Sequence, residues 1–237
     1  MRARMIALMG AVIGVISTTV AMAEAQTHKP VVIELFTSQG CSACPPADAF
    51  MAELAPRDDV IALALHVDYW DYLGWKDPFA HSRHTERQKT YARAAGSKMI
   101  YTPQIIVDGM ERVEGLQARQ ITDLIRRNLS RPSPVTLHLD RVGNMVRIAA
   151  TAVPPLAQGV MVQIVRYRPS ATTTIERGEN AGRTETYHNI VTSWEPLAEW
   201  AGDMPLLLDV RAEGDDPVVV ILQEHGPGTV VAAARLR

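Results

Sequence analysis

The sequence predicts an α/β domain over residues 30–129, followed by an antiparallel, β-sandwich-like domain over residues 135–237. In the first segment, apolar runs that suit buried strands alternate with helical patterns. In the second segment the hydrophobic period falls to two, which is typical of antiparallel strands. Between the two segments, residues 130–134 contain two prolines, which prevent regular structure and therefore mark a linker.

The predicted α/β domain has the order strand, helix, strand, helix, hairpin, helix. It begins with Val31–Thr37, a near-continuous apolar run of the kind a buried parallel strand shows. Gly96 predicts the end of a helix, and Asp108-Gly109 is a strong hairpin signal. The remaining predicted elements are a helix at 47–54, a strand at 60–67, a helix at 81–95, strands at 102–107 and 110–113, and a helix at 117–129.

The predicted second domain is built from short strands alone. Gly143-Asn144 and Gly226-Pro227-Gly228 are turn sequences between two pairs of them. The predicted strands lie at 135–140, 145–152, 160–167, 184–192, 206–211, 217–223 and 229–236. About 100 residues of this kind favour an antiparallel sandwich packed beside the first domain.

Residues 1–25 have the order of a secretory signal peptide. Two arginines precede the apolar run 5–20, and the small-residue pattern at 21–23 offers a cleavage site. We predict a mature N-terminus at Glu24 or Gln26 and a periplasmic or secreted protein. The alternative is an uncleaved anchor, because the apolar run is near the lower length limit for spanning a bilayer.

Charge and cysteine content restrict the possible functions. The formal net charge is −2 at pH 7, so the chain lacks the basic excess that binds nucleic acid. Beyond residues 1–25 no stretch is long enough to cross a membrane, so no stable span is expected after cleavage. The chain contains two cysteines. They lie three positions apart, which makes their shared motif the most informative one in the sequence.

Cys41-Ser42-Ala43-Cys44 follows a predicted strand and precedes a predicted helix, a setting that indicates a redox dithiol. The unpaired amides and the dipole of the helix N-terminus would favour the thiolate of the first cysteine. Two other interpretations stay open. Half of a zinc site would need a second Cys or His pair. A structural disulfide is also conceivable, although a four-residue ring restricts the unfolded chain little.

Four segments resemble the thioredoxin superfamily, and more closely a secreted thioredoxin-like family of uncharacterised function. They are Val31–Thr37, Cys41-Ser42-Ala43-Cys44-Pro45-Pro46, the strand at 60–67, and Tyr101-Thr102-Pro103-Gln104. The resemblance implies a thioredoxin-like fold for residues 30–129. It also implies a cis peptide bond between Thr102 and Pro103 beside the dithiol, where Thr102 offers its backbone to an extended substrate. For residues 135–237 it implies nothing.

Glu34 interrupts the first apolar strand seven residues before Cys41. Thioredoxins carry a buried aspartate six residues before their first cysteine. A carboxylate below the dithiol would take the proton from Cys44 as a mixed disulfide resolves. We therefore predict that Glu34 is inward and close to Cys44. The alternative is a rim glutamate that reaches solvent or pairs with a lysine.

Three further features qualify this interpretation. The second of the prolines Pro45-Pro46 predicts a helix that starts late or is distorted. Segment 68–79 holds five of the thirteen aromatic residues, either as a lid or partner-binding surface near the dithiol or, as we favour, as a loop packed on the second domain. His66, His81 and His84 offer a metal alternative, since the resemblance includes proteins that bind copper with two cysteines, at a different spacing, and a histidine. Surface histidine pairs are far commoner than ligand pairs, so no metal ligand is assigned.

The predicted function is a periplasmic thiol-disulfide oxidoreductase that acts on exported proteins or small thiols, with a redox partner and no cofactor. Cys41, Cys44 and Glu34 are the predicted catalytic residues, and Thr102 and Pro103 dock the substrate. The alternative is a thioredoxin-fold copper-handling or partner-binding module with a structural disulfide. The exposure of Cys41 separates the two, because exchange needs an accessible sulfur.

Overall fold

The computed structural model describes residues 29–237, so the predicted signal peptide and its cleavage site lie outside the described residues. Within this range, none of the helices is long and apolar enough to cross a membrane. The elements in chain order are β1 (Val31–Thr37), α1 (Pro45–Leu54), β2 (Val60–His66), a 3₁₀ helix (Asp71–Leu73), α2 (Ser82–Ala94), β3 (Gln104–Val107), β4 (Glu111–Glu114), α3 (Ala118–Leu129), β5 (Val135–Val142), β6 (Met145–Ala152), β7 (Val160–Thr174), β8 (Thr184–Trp200), β9 (Leu206–Arg211), β10 (Val218–Glu224) and β11 (Val230–Leu236).

Eight strands of the described chain form one mixed sheet, in the order β11-β10-β7-β8-β2-β1-β3-β4. Within it, β1 pairs with β2 in parallel and with β3 antiparallel. β8 joins the other edge of β2, where Ala64 lies beside Ile190. Strands β5, β6 and β9 form a second, three-stranded antiparallel sheet.

The predicted fold class, a thioredoxin-like α/β domain followed by a separate antiparallel β-sandwich-like domain, is therefore wrong. Strands from both halves of the chain share one hydrogen-bonded sheet, because β8 pairs with β2. An isolated edge of β2 would leave backbone N–H and C=O groups unpaired, and the neighbouring strand satisfies some of them. Hydrophobic periodicity reports which residues are buried and not which strands are neighbours, so it could not reveal this junction.

β1 and β2 are buried on both faces. Successive side chains of a strand point to opposite faces, so each strand contributes to two cores. On one face, Ile33 and Leu35 pack against α1 and α3. On the other, Val32 and Phe36 pack with Tyr91 of α2 and with strands of the C-terminal half. A third core lies between the three-stranded sheet and strands β7 and β10.

α1 begins at Pro45 and does not start late. Cys44 is its N-cap, and Pro45 and Pro46 occupy its first two positions. Amides at these positions have no partner within a helix, so a proline there sacrifices no helical hydrogen bond. The N-terminus of α1 consequently lies directly beside the cysteine pair.

Strands β7 and β8 are much longer than predicted and form one antiparallel hairpin. Their pairing continues to Thr174 and Thr184. Residues 175–183, hereafter the hairpin tip, connect the two strands at that end. This tip reaches the loop that carries the cysteines, which lies about 140 positions away in the sequence.

Candidate active site

Cys41 and Cys44 form a disulfide in the turn between β1 and α1. The Cys41 amide donates to the carbonyl of Ser38 at 3.1 Å, and the Cys44 amide donates to that of Cys41 at 3.2 Å. The pair thus lies at the positive end of the α1 dipole, where a thiolate is stabilised. Both cysteines are buried: the relative exposure is 3% for Cys41 and 0% for Cys44, although Ser42 and Ala43 between them are exposed.

The Thr102–Pro103 peptide bond is cis, as the resemblance implies. Pro103 is buried and directly precedes β3. The hydroxyl of Thr102 accepts a hydrogen bond from Nε1 of Trp70 at 2.8 Å. A Cβ placed on Gly40 would lie 3.0 Å from Cβ of Trp70, so the same tryptophan also packs against the loop that leads into Cys41. Trp70 therefore connects Thr102 to this loop, residues 38–44, hereafter the dithiol loop.

Glu34 is inward, with a relative exposure of 1%. Its two carboxylate oxygens accept hydrogen bonds from Arg87 at 2.6 and 2.8 Å, and one also accepts from the hydroxyl of Tyr91 at 2.6 Å. Both partners lie on α2. The carboxylate is thus on the face of the sheet opposite α1, and the expected proximity of Glu34 to Cys44 is not found. Because both of its oxygens are held by the Arg87 guanidinium, this carboxylate is not placed to exchange a proton with Cys44.

Asp48 is the carboxyl that lies on the side of the cysteines. It is four residues after Cys44 on α1, and its amide donates to the Cys44 carbonyl at 3.1 Å. Side chains four residues apart in a helix lie on the same face, so the carboxyl is one turn from the second sulfur. Thr37 Oγ1 donates to Asp48 Oδ1 at 2.8 Å. Burial raises the pKa of Asp48 to about 7, although His66 and Thr37 act in the opposite direction.

A second buried acid, Asp77, lies beside the loop that carries the cysteines. Asp77 Oδ2 lies 2.7 Å from Nδ1 of His66 and accepts the Gln39 amide at 2.9 Å. Burial alone would raise the pKa of Asp77, but His66 and these hydrogen bonds outweigh it and hold that pKa below its usual value. Within residues 29–237, Nε2 of His66 has no hydrogen-bond partner. Of these two acids, one is therefore ionised and the other, Asp48, titrates near neutral pH.

The aromatic segment 68–79 surrounds the dithiol loop. In addition to Trp70 and Asp77, its Trp75 donates through Nε1 to the side-chain oxygen of Gln39 at 2.8 Å. The segment also reaches the C-terminal half, because a Cβ on Gly178 would lie 3.6 Å from Cβ of Trp75. The segment therefore contacts both the loop that carries the cysteines and the hairpin tip.

The histidines considered as metal ligands have structural partners. His81 is the N-cap of α2 and accepts the Arg83 amide at 3.0 Å. His84 Nδ1 lies 2.8 Å from the carbonyl of His66, and burial lowers the pKa of His84 to about 4. Among the described residues, no group of three or more His, Cys, Asp or Glu side chains is arranged to hold a metal ion.

A family described as "Protein of unknown function (DUF1223)" has a sequence model that matches residues 32–223. The chain belongs to this family. The match extends from β1 to β10, so the matched residues of this chain include both the cysteine pair and the hairpin of β7 and β8.

Two solved structures resemble the chain. An X-ray structure of a protein from Agrobacterium tumefaciens has a TM-score of 0.76 and 31% sequence identity, and the alignment covers 90% of this chain and 96% of that one. HBP35 of Porphyromonas gingivalis has a TM-score of 0.65 and 15% identity, with 88% of this chain and 75% of that chain covered, and shows similarity of fold alone. No match is found among curated proteins.

Sequence reasoning missed two residues that the fold brings to the dithiol. Asp48 had a readable signal, because an acid four positions after Cys44 faces the same side of a helix. Asn180, in the hairpin tip, had none. Its side-chain amide donates to the carbonyls of Gln39 and Cys41, both at 2.9 Å. Only the long hairpin of β7 and β8 places it there.

Proposed function

We propose that this protein is a thiol-disulfide oxidoreductase that acts on exported protein partners through Cys41 and Cys44. The observation that carries the proposal is the Asp48 carboxyl, which is buried one helical turn from Cys44 and has a pKa of about 7. Burying ionisable groups costs free energy, and strongly shifted groups beside a nucleophile are characteristic of active sites. A disulfide that served only stability would have no use for such a group.

The reaction is an exchange between two dithiols. A thiolate of the partner attacks Sγ of Cys41 and forms a mixed disulfide, while the Cys41–Cys44 bond breaks and its electron pair goes to Cys44. The partner's second thiolate then attacks the partner sulfur of the mixed disulfide and releases Cys41 as a thiolate. The partner dithiol is oxidised by two electrons, and the cysteine pair is reduced. The reverse sequence reduces a disulfide in the partner.

Asp48 moves the proton at Cys44. In the direction described, protonated Asp48 donates to the Cys44 thiolate as it leaves. In the reverse direction, ionised Asp48 accepts the proton of Cys44 before that sulfur attacks the mixed disulfide. A pKa of about 7 suits both tasks, because each protonation state is populated near neutral pH. Glu34, which the sequence suggested for this task, instead binds Arg87 on the other face of the sheet.

Export of the protein is part of the proposal. The signal-peptide pattern in residues 1–25 supports a periplasmic or secreted location, where disulfides persist and exported proteins are the available partners. The resemblance to the thioredoxin superfamily, carried by the CxxC motif and by Thr102-Pro103, supports the same chemistry. A redox partner that returns the cysteine pair to its starting state completes the cycle.

The burial of Cys41 favours a second candidate function. At 3% exposure its sulfur is out of reach of a protein thiol in this conformation. A partner-binding module with a structural disulfide would show the same burial, and its cysteines would stay inert in the native protein.

Covalent trapping separates the two functions. In the Cys44→Ala protein, a mixed disulfide on Cys41 cannot be resolved, so exported partner proteins should accumulate on Cys41 and be released by reductant. The matched Cys41→Ala protein should trap few or none. Alkylation of the reduced native wild-type protein gives a second measurement, in which Cys41 should react before Cys44. If neither variant traps partners and Cys41 resists alkylation, the partner-binding module is the better description.

A further inference from the structure

We infer that the hairpin tip is a gate over the dithiol, and that Asn180 is the positioning residue that holds it closed. This inference rests on the proposed function, because it concerns access to the same two sulfurs. It assigns a role to the C-terminal half of the chain, for which the sequence motifs offer none.

The contact between Asn180 and the dithiol loop is specific. The side-chain amide nitrogen of Asn180 lies 2.9 Å from the carbonyl oxygen of Gln39 and 2.9 Å from that of Cys41. Asn180 itself is 4% exposed. Buried polar groups of this kind are costly when unpaired, so both carbonyls and the amide hold the closed arrangement together.

The aromatic segment closes the other side of the loop. Trp75 donates to the side chain of Gln39, and Trp70 packs on Gly40. The hairpin tip meets this segment at Gly178, where a Cβ would lie 3.7 Å from the carbonyl oxygen of Leu73. The two elements therefore meet around the dithiol loop, and the cysteines are buried as a result.

Exchange requires this arrangement to open. An attacking sulfur has to reach Sγ of Cys41, which a protein segment cannot do at the observed exposure. The turn of the hairpin tip is closed by its own backbone bonds, so it can keep its shape when Asn180 leaves the loop. The Ile175 amide donates to the carbonyl of Arg183 at 2.9 Å, and the Gly182 amide donates to that of Ile175 at 2.8 Å. The hydrogen bonds from the tip to the dithiol loop come from the side chain of Asn180.

The gate can be measured on the whole mature protein by the rate at which dithiothreitol reduces the Cys41–Cys44 disulfide. We expect the Asn180→Asp protein to be reduced about tenfold faster than wild type, because two hydrogen bonds of ordinary net strength are lost. Asn180→Ala removes the same donor without adding a charge near the sulfurs, and it should be accelerated similarly.

Asn189→Asp is the matched control. Asn189 is a buried asparagine of the same hairpin, and its side-chain amide also donates to a backbone carbonyl, that of Ala62 at 2.9 Å. It has a φ of 49°, which aspartate tolerates. The disulfide of this variant should be reduced at a rate within about twofold of the wild-type rate. Urea unfolding of each protein shows whether a change in global stability contributes to any difference.

The reduction rates test the gate, and the trapping experiment tests the oxidoreductase function. Wild-type rates in both Asn180 variants, or an equal acceleration in Asn189→Asp, would overturn the gate, since access would then depend on global opening. If the Asn180 variants are accelerated but Cys44→Ala traps no partner, the gate stands and the oxidoreductase function fails. If partners are trapped without acceleration, the function stands and the gate is wrong.

Discussion

Glu34 on β1 and Asp48 on α1 are both buried carboxyls, but their hydrogen-bond partners differ. Glu34 accepts hydrogen bonds on both oxygens from Arg87, which fix the position of the carboxylate. Asp48 accepts from the neutral hydroxyl of Thr37, and its pKa is raised to about 7 by burial. The first arrangement suits a structural ion pair, and the second suits proton transfer.

Asp48→Asn should slow the resolution of mixed disulfides by about tenfold to a hundredfold near pH 8, because Cys44 loses its proton acceptor. The first attack by Cys41 should be unchanged. Acid quenching after the reduced protein meets a peptide disulfide measures both steps. In wild type the resolution rate should rise through about pH 7, and in the variant this rise should be absent. Glu34→Gln is the control, and an equal slowing in that protein would return the proton-transfer role to Glu34.

Asp48→Asn should also change how the stability of the fold depends on pH. Free aspartate titrates near pH 4, so between pH 4 and about 7 the folded chain holds a proton at Asp48 that the unfolded chain lacks. The contribution of Asp48 to stability is therefore fully present below pH 4 and is lost as the pH rises through about 7. Relative to wild type, Asp48→Asn should gain up to about 4 kcal/mol in unfolding free energy between pH 4 and pH 8.5. Urea unfolding of the oxidised proteins measures this difference.

At the scale of elements, α2 packs on the sheet through apolar side chains and one polar contact among them. Arg87 donates to the carboxylate of Glu34 and also lies over the ring of Trp194, with the guanidinium carbon 3.6 Å from the ring centroid. The hydroxyl of Tyr91 also donates to Glu34. These contacts join α2 to β1 of the N-terminal half and to β8 of the C-terminal half.

Removing one partner of this contact should be costly. We expect Glu34→Gln to lower the free energy of unfolding by about 3 kcal/mol, because it leaves the partly buried Arg87 guanidinium without its counter-charge. Glu86→Gln is a matched substitution on the same helix. It removes an exposed ion pair with Lys89 and should cost less than about 1 kcal/mol. Urea unfolding at pH 7 compares the two, and equal losses would show that Glu34 contributes no more than a surface charge.

At the scale of the whole molecule, the two halves depend on each other. The core on the α2 side of the sheet contains Val32 and Leu63 from the N-terminal half together with Val165, Val191 and Ile221 from the C-terminal half. The last strand also returns to the first half, where Arg235 donates to the carbonyls of residues 57 and 60 at 3.0 and 3.3 Å. Neither half encloses this core alone.

A fragment of residues 29–134 should therefore lack cooperative unfolding, because its half of the shared core and the edge of β2 would be exposed to water. The whole chain should unfold in one transition, with coincident curves by far-ultraviolet circular dichroism and tryptophan fluorescence. Co-expression with residues 135–237 is the positive control for the fragment. A fragment that unfolds cooperatively by itself would show that the N-terminal half is an independent unit.

The sequence alone determined the local features of this protein. The cysteine pair at the junction of β1 and α1 was predictable, as were most strands and all three α-helices, because turn chemistry and hydrophobic period depend on residues that are close in the chain. The inward position of Glu34 also followed from the apolar run around it. The proximity of Asp48 to Cys44 also follows from helical spacing.

The tertiary structure alone decided which of these features meet. Alternation along β1 places Glu34 on the α2 face, but only the packing of Arg87 there puts it in an ion pair. Asp48 is then the buried carboxyl on the side of the cysteines. The pairing of β8 with β2 turns two expected domains into one sheet, and the long hairpin brings Asn180 to Cys41 across 139 positions. Contacts at such separations depend on the relative placement of whole elements, on which local sequence patterns carry no information.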